Sequence, residues 1–206
     1  MNHRLQYFDM VFRYIFDNKI EGDYLEFGVE KGASMLVAYQ AAVSYCLLDM
    51  NFIGFDSFKG LPEGEGKRFS RGQYSASMSQ ALSTLDSGNA NLDRFLFIPG
   101  FFKDSLTSEV KKKIGKAAVV NVDCDLYVST VPVLRFIEGL LDVGSILMFD
   151  DWYSFADEKN PEDFGELRAF SEWKYKDCFE KFYDMRENSS DLPGYAFRVK
   201  NENCFS

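Results

Sequence analysis

The chain has 206 residues, is 46% hydrophobic and 17% aromatic, and carries a formal net charge of −9; this length predicts one domain over residues 1–206. The acidic balance argues against nucleic acid or a membrane as partner, and we recognise neither a signal peptide nor an apolar run of transmembrane length, so we expect a cytoplasmic protein. The single histidine, His3, argues against a histidine triad or a histidine metal cluster. Four scattered cysteines without a C-x-x-C pair argue against a zinc site and against a disulfide framework.

The first elements alternate between helix and strand. Residues 4–18 carry apolar side chains at helical spacing, which predicts an N-terminal helix within residues 1–20 that packs on its own domain. Tyr24–Phe27 is a short apolar strand, and a glycine-containing turn leads from it into a helix from about Ser34 to Leu48. The second strand is predicted at Asn51–Phe55.

The rest of the chain continues the pattern. Three further strands are predicted, at Phe95–Pro99, Ala117–Val122 and Ser145–Phe149. Thr130 is placed to cap a helix with Pro132 in its first turn, running to about Leu141. A helix at Gly165–Lys174 and two strands between Cys178 and Lys200, joined by a turn at Asn188–Gly194, complete the chain. Strands that alternate with helices predict an α/β fold with a doubly wound, mostly parallel seven-stranded sheet.

One long stretch, Leu61–Gln80, shows no helical or strand period and is rich in glycine, serine and charge. It follows the second strand and therefore leaves from the edge where ligands bind in open parallel sheets. We call it the lid segment, because a long loop at that edge is a candidate lid. Its residues Lys67, Arg68 and Arg71 could meet an anionic substrate group, although solvated loop charge is the commoner explanation.

The first strand-to-helix turn carries Glu26, Gly28 and Gly32. The glycines let the backbone approach a ligand closely. The spacing is not G-x-G-x-x-G, and Glu30 places negative charge where a pyrophosphate would lie, which weakens a dinucleotide interpretation. Glu26 instead suits a cationic ligand, such as the amino group of a methionine moiety. The alternative is a plain strand-to-helix turn.

Polar and aromatic residues also follow the second and third strands. Asp56 ends the second strand, where a carboxylate can accept hydrogen bonds from ribose hydroxyls. Its alternative role is to cap the turn through Ser57 and Phe58. Gly100 and Phe101 follow the third strand, where an aromatic ring can stack on an adenine or simply belong to the core. Together these residues predict an adenosine-bearing ligand across the first strands.

Acidic residues follow the fourth and fifth strands: Asp123 and Asp125, then Asp150 and Asp151. Neighbouring strands are about 4.8 Å apart, so these carboxylates would repel one another unless protonated or neutralised by a cation. A hard ion such as Mg²⁺ satisfies such oxygen ligands, which favours Asp123, Asp150 and Asp151 as metal ligands. The alternative is that Asp151 caps the next turn and only one carboxylate is buried. For Asp125, capping of the following helix is favoured over metal binding.

Five ordered motifs, GDYLEFGVEKGAS, FDSFKGLP, GFFKDSL, VDCDLYVST and FDDWY, resemble the signatures of the macrocin O-methyltransferase family. Its members are metal-dependent enzymes that use S-adenosylmethionine to methylate sugar hydroxyls in antibiotic biosynthesis. The resemblance implies the class I S-adenosylmethionine-dependent methyltransferase fold, with Mg²⁺ on Asp123, Asp150 and Asp151 and with Asp123 also as general base. It implies cofactor contacts at Glu26, Gly28, Val29, Asp56 and Ser57. The predicted cofactor set is completed by Phe27, Gly32, Ser34, Phe58, Gly100, Phe101 and Asp123.

The sequence therefore predicts a Mg²⁺-dependent O-methyltransferase that transfers a methyl group from S-adenosylmethionine to a hydroxyl of a sugar or other diol-bearing small molecule. A homodimer is a possible assembly. One alternative is a glycosyltransferase, because Asp123-Cys124-Asp125 is also a D-x-D sequence that can bind Mn²⁺ and a nucleotide diphosphate. That alternative leaves the Glu26 turn and the Asp150-Asp151 pair unexplained. The other alternative is a non-catalytic cofactor-binding protein of the same fold.

Overall fold

Seven strands form one sheet within residues 3–187 and 193–200, the residues that the computed structural model describes. Across the sheet they run in the order β3 (Phe95–Pro99), β2 (Phe52–Asp56), β1 (Asp23–Phe27), β4 (Ala117–Val122), β5 (Leu141–Phe149), β7 (Tyr195–Val199) and β6 (Phe179–Asp184). The pairings from β3 to β5 are parallel, whereas β7 runs antiparallel to both of its neighbours. The predicted doubly wound, mostly parallel seven-stranded α/β fold is confirmed.

Helices cover both faces of the sheet. In chain order they are α1 (His3–Asp17), α2 (Ala33–Ser44), α3 (Met78–Ser87), α4 (Phe102–Ser105), α5 (Ser108–Lys111), α6 (Tyr127–Ile137) and α7 (Gly165–Glu172). One apolar layer contains side chains of α1, α2 and α3, and the layer on the other face contains side chains of α6 and α7. The predicted packing of α1 on its own domain is confirmed. None of the helices in the described residues is long and apolar enough to cross a membrane.

Three predicted boundaries at α6 and the strand that follows it were wrong. The helix begins at Tyr127, so Thr130 lies inside it and donates its hydroxyl to a backbone carbonyl four residues earlier (2.8 Å) instead of capping the helix. It ends at Ile137 because the backbone leaves the helical conformation, with Gly139 at φ +76°. Leu141 was predicted as the end of the helix but is the first residue of β5. This strand was predicted to begin at residue 145.

Other differences are smaller. The helix after β1 ends at Ser44, four residues before the predicted end, and α7 ends two residues early at Glu172. The last part of the lid segment belongs to α3, which the sequence analysis did not predict and which Ser77 caps. The predicted turn at 188–194 falls largely outside the described residues. Cys46 and Cys124 are free thiols, whereas Cys178 forms a disulfide, contrary to the expectation from the scattered cysteines.

The sheet register brings the acidic strand ends to one edge. Phe27 pairs with Val122, which in turn pairs with Phe149. The residues that follow continue the ladder: the Asp123 amide donates to the Phe27 carbonyl (2.9 Å), and the Asp150 amide donates to the Val122 carbonyl (3.0 Å). Asp123 and Asp150 therefore start their turns side by side, as the sequence predicted.

Gly28 permits this close approach of β1 and β4. Its φ is +100°, and a Cβ added there would lie 1.6 Å from the carbonyl oxygen of Asp123. No side chain fits that space, so the neighbouring backbone requires glycine here whether or not a ligand is bound. The close backbone approach predicted at Gly28 is therefore confirmed, but the approaching group is the backbone of Asp123 and not a ligand.

Candidate active site

A cleft of about 640 Å³ opens along the edge where β1 to β5 end. Its volume lies in the range of about 300–1,000 Å³ that is typical of small-molecule sites. Ten of the predicted site residues line it: Gly28, Val29, Ser34, Asp56, Ser57, Gly100, Phe101, Asp123, Asp150 and Asp151. Four others are absent from the lining: Glu26, Phe27, Gly32 and Phe58.

Glu26 lies beneath the cleft and is fully buried. Its carboxylate accepts hydrogen bonds from the hydroxyls of Tyr24 and Ser34 (2.8 Å for Ser34) and from the amide nitrogen of Asn121 at 3.4 Å. Burial raises the pKa of Glu26 to about 7, and these hydrogen bonds oppose the rise. The side chain thus joins β1, α2 and β4, and the structure does not bring it to the cleft as a ligand for a cofactor amino group.

The other three residues outside the lining serve the fold. Phe27 is fully buried, and its ring stacks on Phe55 with centroids 4.6 Å apart. Gly32 is the N-cap of α2 and has a left-handed backbone with φ +77°. Phe58 packs edge-on against Phe97, with centroids 6.1 Å apart. None of the three lines the cleft, so their predicted contacts with a cofactor stay predictions.

Asp56 lines the cleft and also organises its wall. One carboxylate oxygen accepts the backbone amides of Val29 (2.7 Å) and Glu30 (2.8 Å), and the other accepts the amide of Phe58 (2.6 Å). The alternative expectation, that Asp56 caps its own turn, is confirmed. A carboxylate has about four lone-pair sites, so its oxygens retain capacity for a ribose hydroxyl, which stays a prediction.

The three predicted metal ligands come together. Carboxylate oxygens of Asp123, Asp150 and Asp151 all lie within 4.8 Å of one another. With Mg–O bonds of about 2.05 Å, opposite ligands of an octahedral ion are about 4.1 Å apart, so a small closure lets the three share one ion. Carboxylate oxygens are also the donors that Mg²⁺ prefers. The residues present therefore fit a hard divalent cation.

The electrostatics of this cluster also favour a cation. Burial, and then the charges of Asp150 and Asp151, raise the pKa of Asp123 well above its usual range. Burial raises the pKa of Asp150 to about 6, and the guanidinium of Arg4 opposes that rise. Arg4, at the start of α1, donates to the Asp150 carboxylate at 2.5 Å. Nothing local in the sequence marks Arg4, since it lies 146 positions from its partner and belongs to no motif.

Asp125 does not cap α6, contrary to the expectation. The residue before the helix is Leu126, and Asp125 itself has a left-handed backbone with φ +62°. Its buried side chain lines the cleft and hydrogen-bonds with the carboxyl of Asp151. Burial and the neighbouring Asp151 charge raise the pKa of Asp125 to about 9. Asp151 both belongs to the cluster and accepts the hydroxyl of Ser154 at 2.5 Å in the next turn.

The lid segment lies along the cleft and is held to the rest of the protein by several contacts, of which those of Glu65 reach the helices beside the cleft. Glu65 accepts the backbone amides of Tyr127 (2.7 Å) and Gly165 (2.8 Å), which start α6 and α7. Of the basic residues, Arg68 and Arg71 line the cleft. The third, Lys67, is instead paired with Glu158 at the surface (3.2 Å).

A second buried carboxylate lies behind the acidic cluster. Glu166, in the first turn of α7, is fully buried, and its oxygens accept the backbone amides of Asp151 (2.9 Å) and Cys124 (3.5 Å). Burial, and then the Asp151 and Asp125 charges, raise its pKa well above the usual range. Glu166 follows an irregular stretch and belongs to no recognisable motif, so nothing local in the sequence marks it as a site residue.

Comparison with known proteins identifies the family. The model of the macrocin-O-methyltransferase (TylF) family matches residues 1–172. The chain belongs to this family. Its sequence is 28% identical over 143 residues to 8-demethyl-8-(2,3-dimethoxy-alpha-L-rhamnosyl)-tetracenomycin-C 4'-O-methyltransferase of Streptomyces olivaceus, covering 65% of this chain and 54% of that protein. It is 26% identical over 166 residues to demethyldecarbamoylnovobiocin O-methyltransferase of Streptomyces niveus, covering 75% and 61%. The chain thus spans little more than half the length of these relatives.

Several solved O-methyltransferase structures have the same fold as this protein. The O-methyltransferase NovP superposes with a TM-score of 0.75 at 22% identity, over 97% of this chain and 80% of that one. The O-methyltransferase TomG from Streptomyces achromogenes, solved in complex with SAM, superposes with a TM-score of 0.60 at 12% identity, over 95% and 80%. The fold is therefore the class I S-adenosylmethionine-dependent methyltransferase fold.

Proposed function

We propose that this protein transfers a methyl group from S-adenosylmethionine to a hydroxyl of a sugar or other diol-bearing small molecule, with Mg²⁺ held by Asp123, Asp150 and Asp151. The observation that carries the proposal is the meeting of these three carboxylates within 4.8 Å in the cleft of a macrocin-O-methyltransferase family member. The relatives support it, because both are named as O-methyltransferases and the name of one includes a rhamnosyl group.

The cleft supplies what this reaction needs from the protein. Methyl transfer requires an acceptor oxygen held in line with the sulfur–methyl bond and shielded from water. When bound, S-adenosylmethionine would supply the methyl group, and Mg²⁺ held by the three aspartates would stabilise negative charge on an acceptor oxygen. Asp56, Ser57 and Phe101 line the cleft and would contact the cofactor, and residues of the lid segment, which also line it, would exclude water.

Two aspartates are candidates for the general base. Asp123 is the general base that the sequence predicts. A carboxylate beside a cation loses basicity, since the positive charge favours its ionised form, and this weakens the case for a residue that is also a ligand. Asp125 is buried, lines the same cleft and hydrogen-bonds with Asp151 without being one of the three cluster carboxylates; its raised pKa makes its ionised form a stronger base. We therefore propose Asp125 as the second candidate, and the two are separated by mutation below.

The acceptor is proposed from the same surfaces. A molecule with two adjacent hydroxyls would be able to bind one cation through both oxygens. One of these two hydroxyls would then face the methyl group. Arg68 and Arg71 in the lining suit an acceptor that also carries an anionic group. A homodimer and a cytoplasmic location stay proposals from the sequence.

The test is a panel assay with S-adenosylmethionine labelled on its methyl group. Sugars and glycosides with adjacent free hydroxyls are compared, in Mg²⁺, with the same compounds blocked at one hydroxyl. We expect label to enter at least one diol and none of its blocked partners. Label in no acceptor despite tight cofactor binding would favour the non-catalytic alternative. Sugar transfer from a nucleotide-sugar would favour the glycosyltransferase.

A further inference from the structure

The carboxylate of Glu166 is fully buried and has no part in the proposed chemistry. Burying a carboxylate is unfavourable unless hydrogen bonds compensate. Here the compensation comes from two backbone amides, a close one from Asp151 (2.9 Å) and a longer one from Cys124 (3.5 Å). These amides belong to the two turns that carry the acidic cluster, so the position of Glu166 bears on the geometry of that cluster.

The backbone hydrogen bonds show why an acceptor is needed there. The parallel ladder between β1, β4 and β5 ends with the amides of Asp123 and Asp150, each bonded to a neighbouring strand carbonyl (2.9 and 3.0 Å). The next amide on each strand, from Cys124 and Asp151, lies beyond the ladder. A buried backbone amide requires a partner, and Glu166 supplies one for each. Its two oxygens thus extend the pairing of the strands by one residue into the cleft.

We propose that Glu166 is a positioning residue that holds these two turns at the spacing at which Asp123, Asp150 and Asp151 share one divalent cation. The inference rests on the proposed metal site. Cys124 directly follows one ligand, and Asp151 is itself a ligand. A carboxylate that bridges their amides therefore limits how far the two turns separate. Residues that orient metal ligands in this way typically contribute about 10–100-fold to metal affinity.

A simpler role for Glu166 is to stabilise α7, because an acidic side chain in the first turn favours a helix. Glu65 provides a matched control for that role. Its carboxylate also accepts two backbone amides, those of Tyr127 and Gly165. They start α6 and α7 and are not amides of the metal ligands. Both glutamates therefore support helix starts, but only Glu166 bonds the amide of a ligand.

The experiment measures Mn²⁺ binding by the electron paramagnetic resonance signal of the free ion, with Mn²⁺ as the probe for the Mg²⁺ site. We expect Glu166→Gln to bind Mn²⁺ about 10–100-fold more weakly than the unaltered protein, because its NH₂ group faces one of the two N–H donors. Glu166→Asp, which keeps the charge but is one methylene shorter, is also expected to bind more weakly. Glu65→Gln is expected to keep the affinity within about 3-fold, well inside the change expected for Glu166.

The outcomes separate the two proposals. Equal Mn²⁺ affinity in folded Glu166→Gln and in the unaltered protein would overturn the positioning role while leaving the metal site standing. Loss of affinity in Glu65→Gln to the same extent would reduce Glu166 to a general stabiliser. Absence of Mn²⁺ binding by the unaltered protein would contradict the metal site and this inference with it. If the variants do not fold, amide exchange in the unaltered protein decides: slow exchange at Cys124 and Asp151 is expected, and fast exchange at either refutes the role.

Discussion

Asp56→Ala tests the cleft wall and the cofactor site together. The change removes the acceptor of three backbone amides, from Val29, Glu30 and Phe58, bonded at 2.6 to 2.8 Å. A hydrogen bond to a charged group contributes about 1.5–3 kcal/mol when well buried. Asp56 is only half-buried, so we take about 1 kcal/mol for each bond. The free energy of unfolding should therefore fall by about 3 kcal/mol.

Urea denaturation measures this loss, and calorimetry measures S-adenosylmethionine binding by the folded variants. Asp56→Asn keeps one carbonyl oxygen and should lose about half as much stability. Affinity for the cofactor should fall by about 1–3 kcal/mol in Asp56→Ala if the carboxylate also bonds the ribose. Asp49→Ala, at an exposed position, is the control and should leave both quantities unchanged. An unchanged unfolding free energy in Asp56→Ala would refute the structural part, and an unchanged affinity would remove Asp56 from the cofactor site.

Three further predictions concern the acidic cluster and its surroundings. At saturating Mg²⁺, Asp125→Asn should lower the methylation rate about 100-fold or more if Asp125 is the base, whereas Asp123→Asn should mainly raise the Mg²⁺ concentration required; the reverse pattern would return the base to Asp123. Amides of the lid segment should exchange more slowly with cofactor and acceptor bound, and faster in Glu65→Gln; equal exchange in all states would make the segment an ordinary loop. Arg4→Gln should bind Mn²⁺ about 5-fold more tightly, because a cation pairing worth about 1 kcal/mol no longer competes for Asp150; weaker binding would show that Arg4 supports the site.

The parts of the site that follow from local pattern were predictable. Residues directly after a strand project at the sheet edge, and the register of parallel strands aligns them. Asp123 and Asp150 each follow the last residue of their strand, and they meet as expected. Glu26, by contrast, is the last but one residue of β1. Its side chain therefore points to a face of the sheet that α2 covers, and it is bonded to Ser34 of that helix.

The parts that escaped prediction depend on distant segments. Arg4, Glu65 and Glu166 each bond a partner between 15 and 146 positions away. An isolated charged residue in a helix or loop carries no periodicity and no turn signature, so nothing local marks its partner. The position of Asp125 also escaped prediction, since its backbone is left-handed and it lines the cleft instead of capping α6.

The central claim is that the acidic cluster holds a divalent cation required for methyl transfer. The most direct measurement is transfer of labelled methyl from S-adenosylmethionine to a diol acceptor found in the panel, first with a chelator and then with Mg²⁺ added in excess. We expect transfer to stop in the chelator and return with Mg²⁺, and to need more Mg²⁺ in Asp150→Asn and Asp151→Asn. Transfer at the full rate in the chelator would contradict the claim.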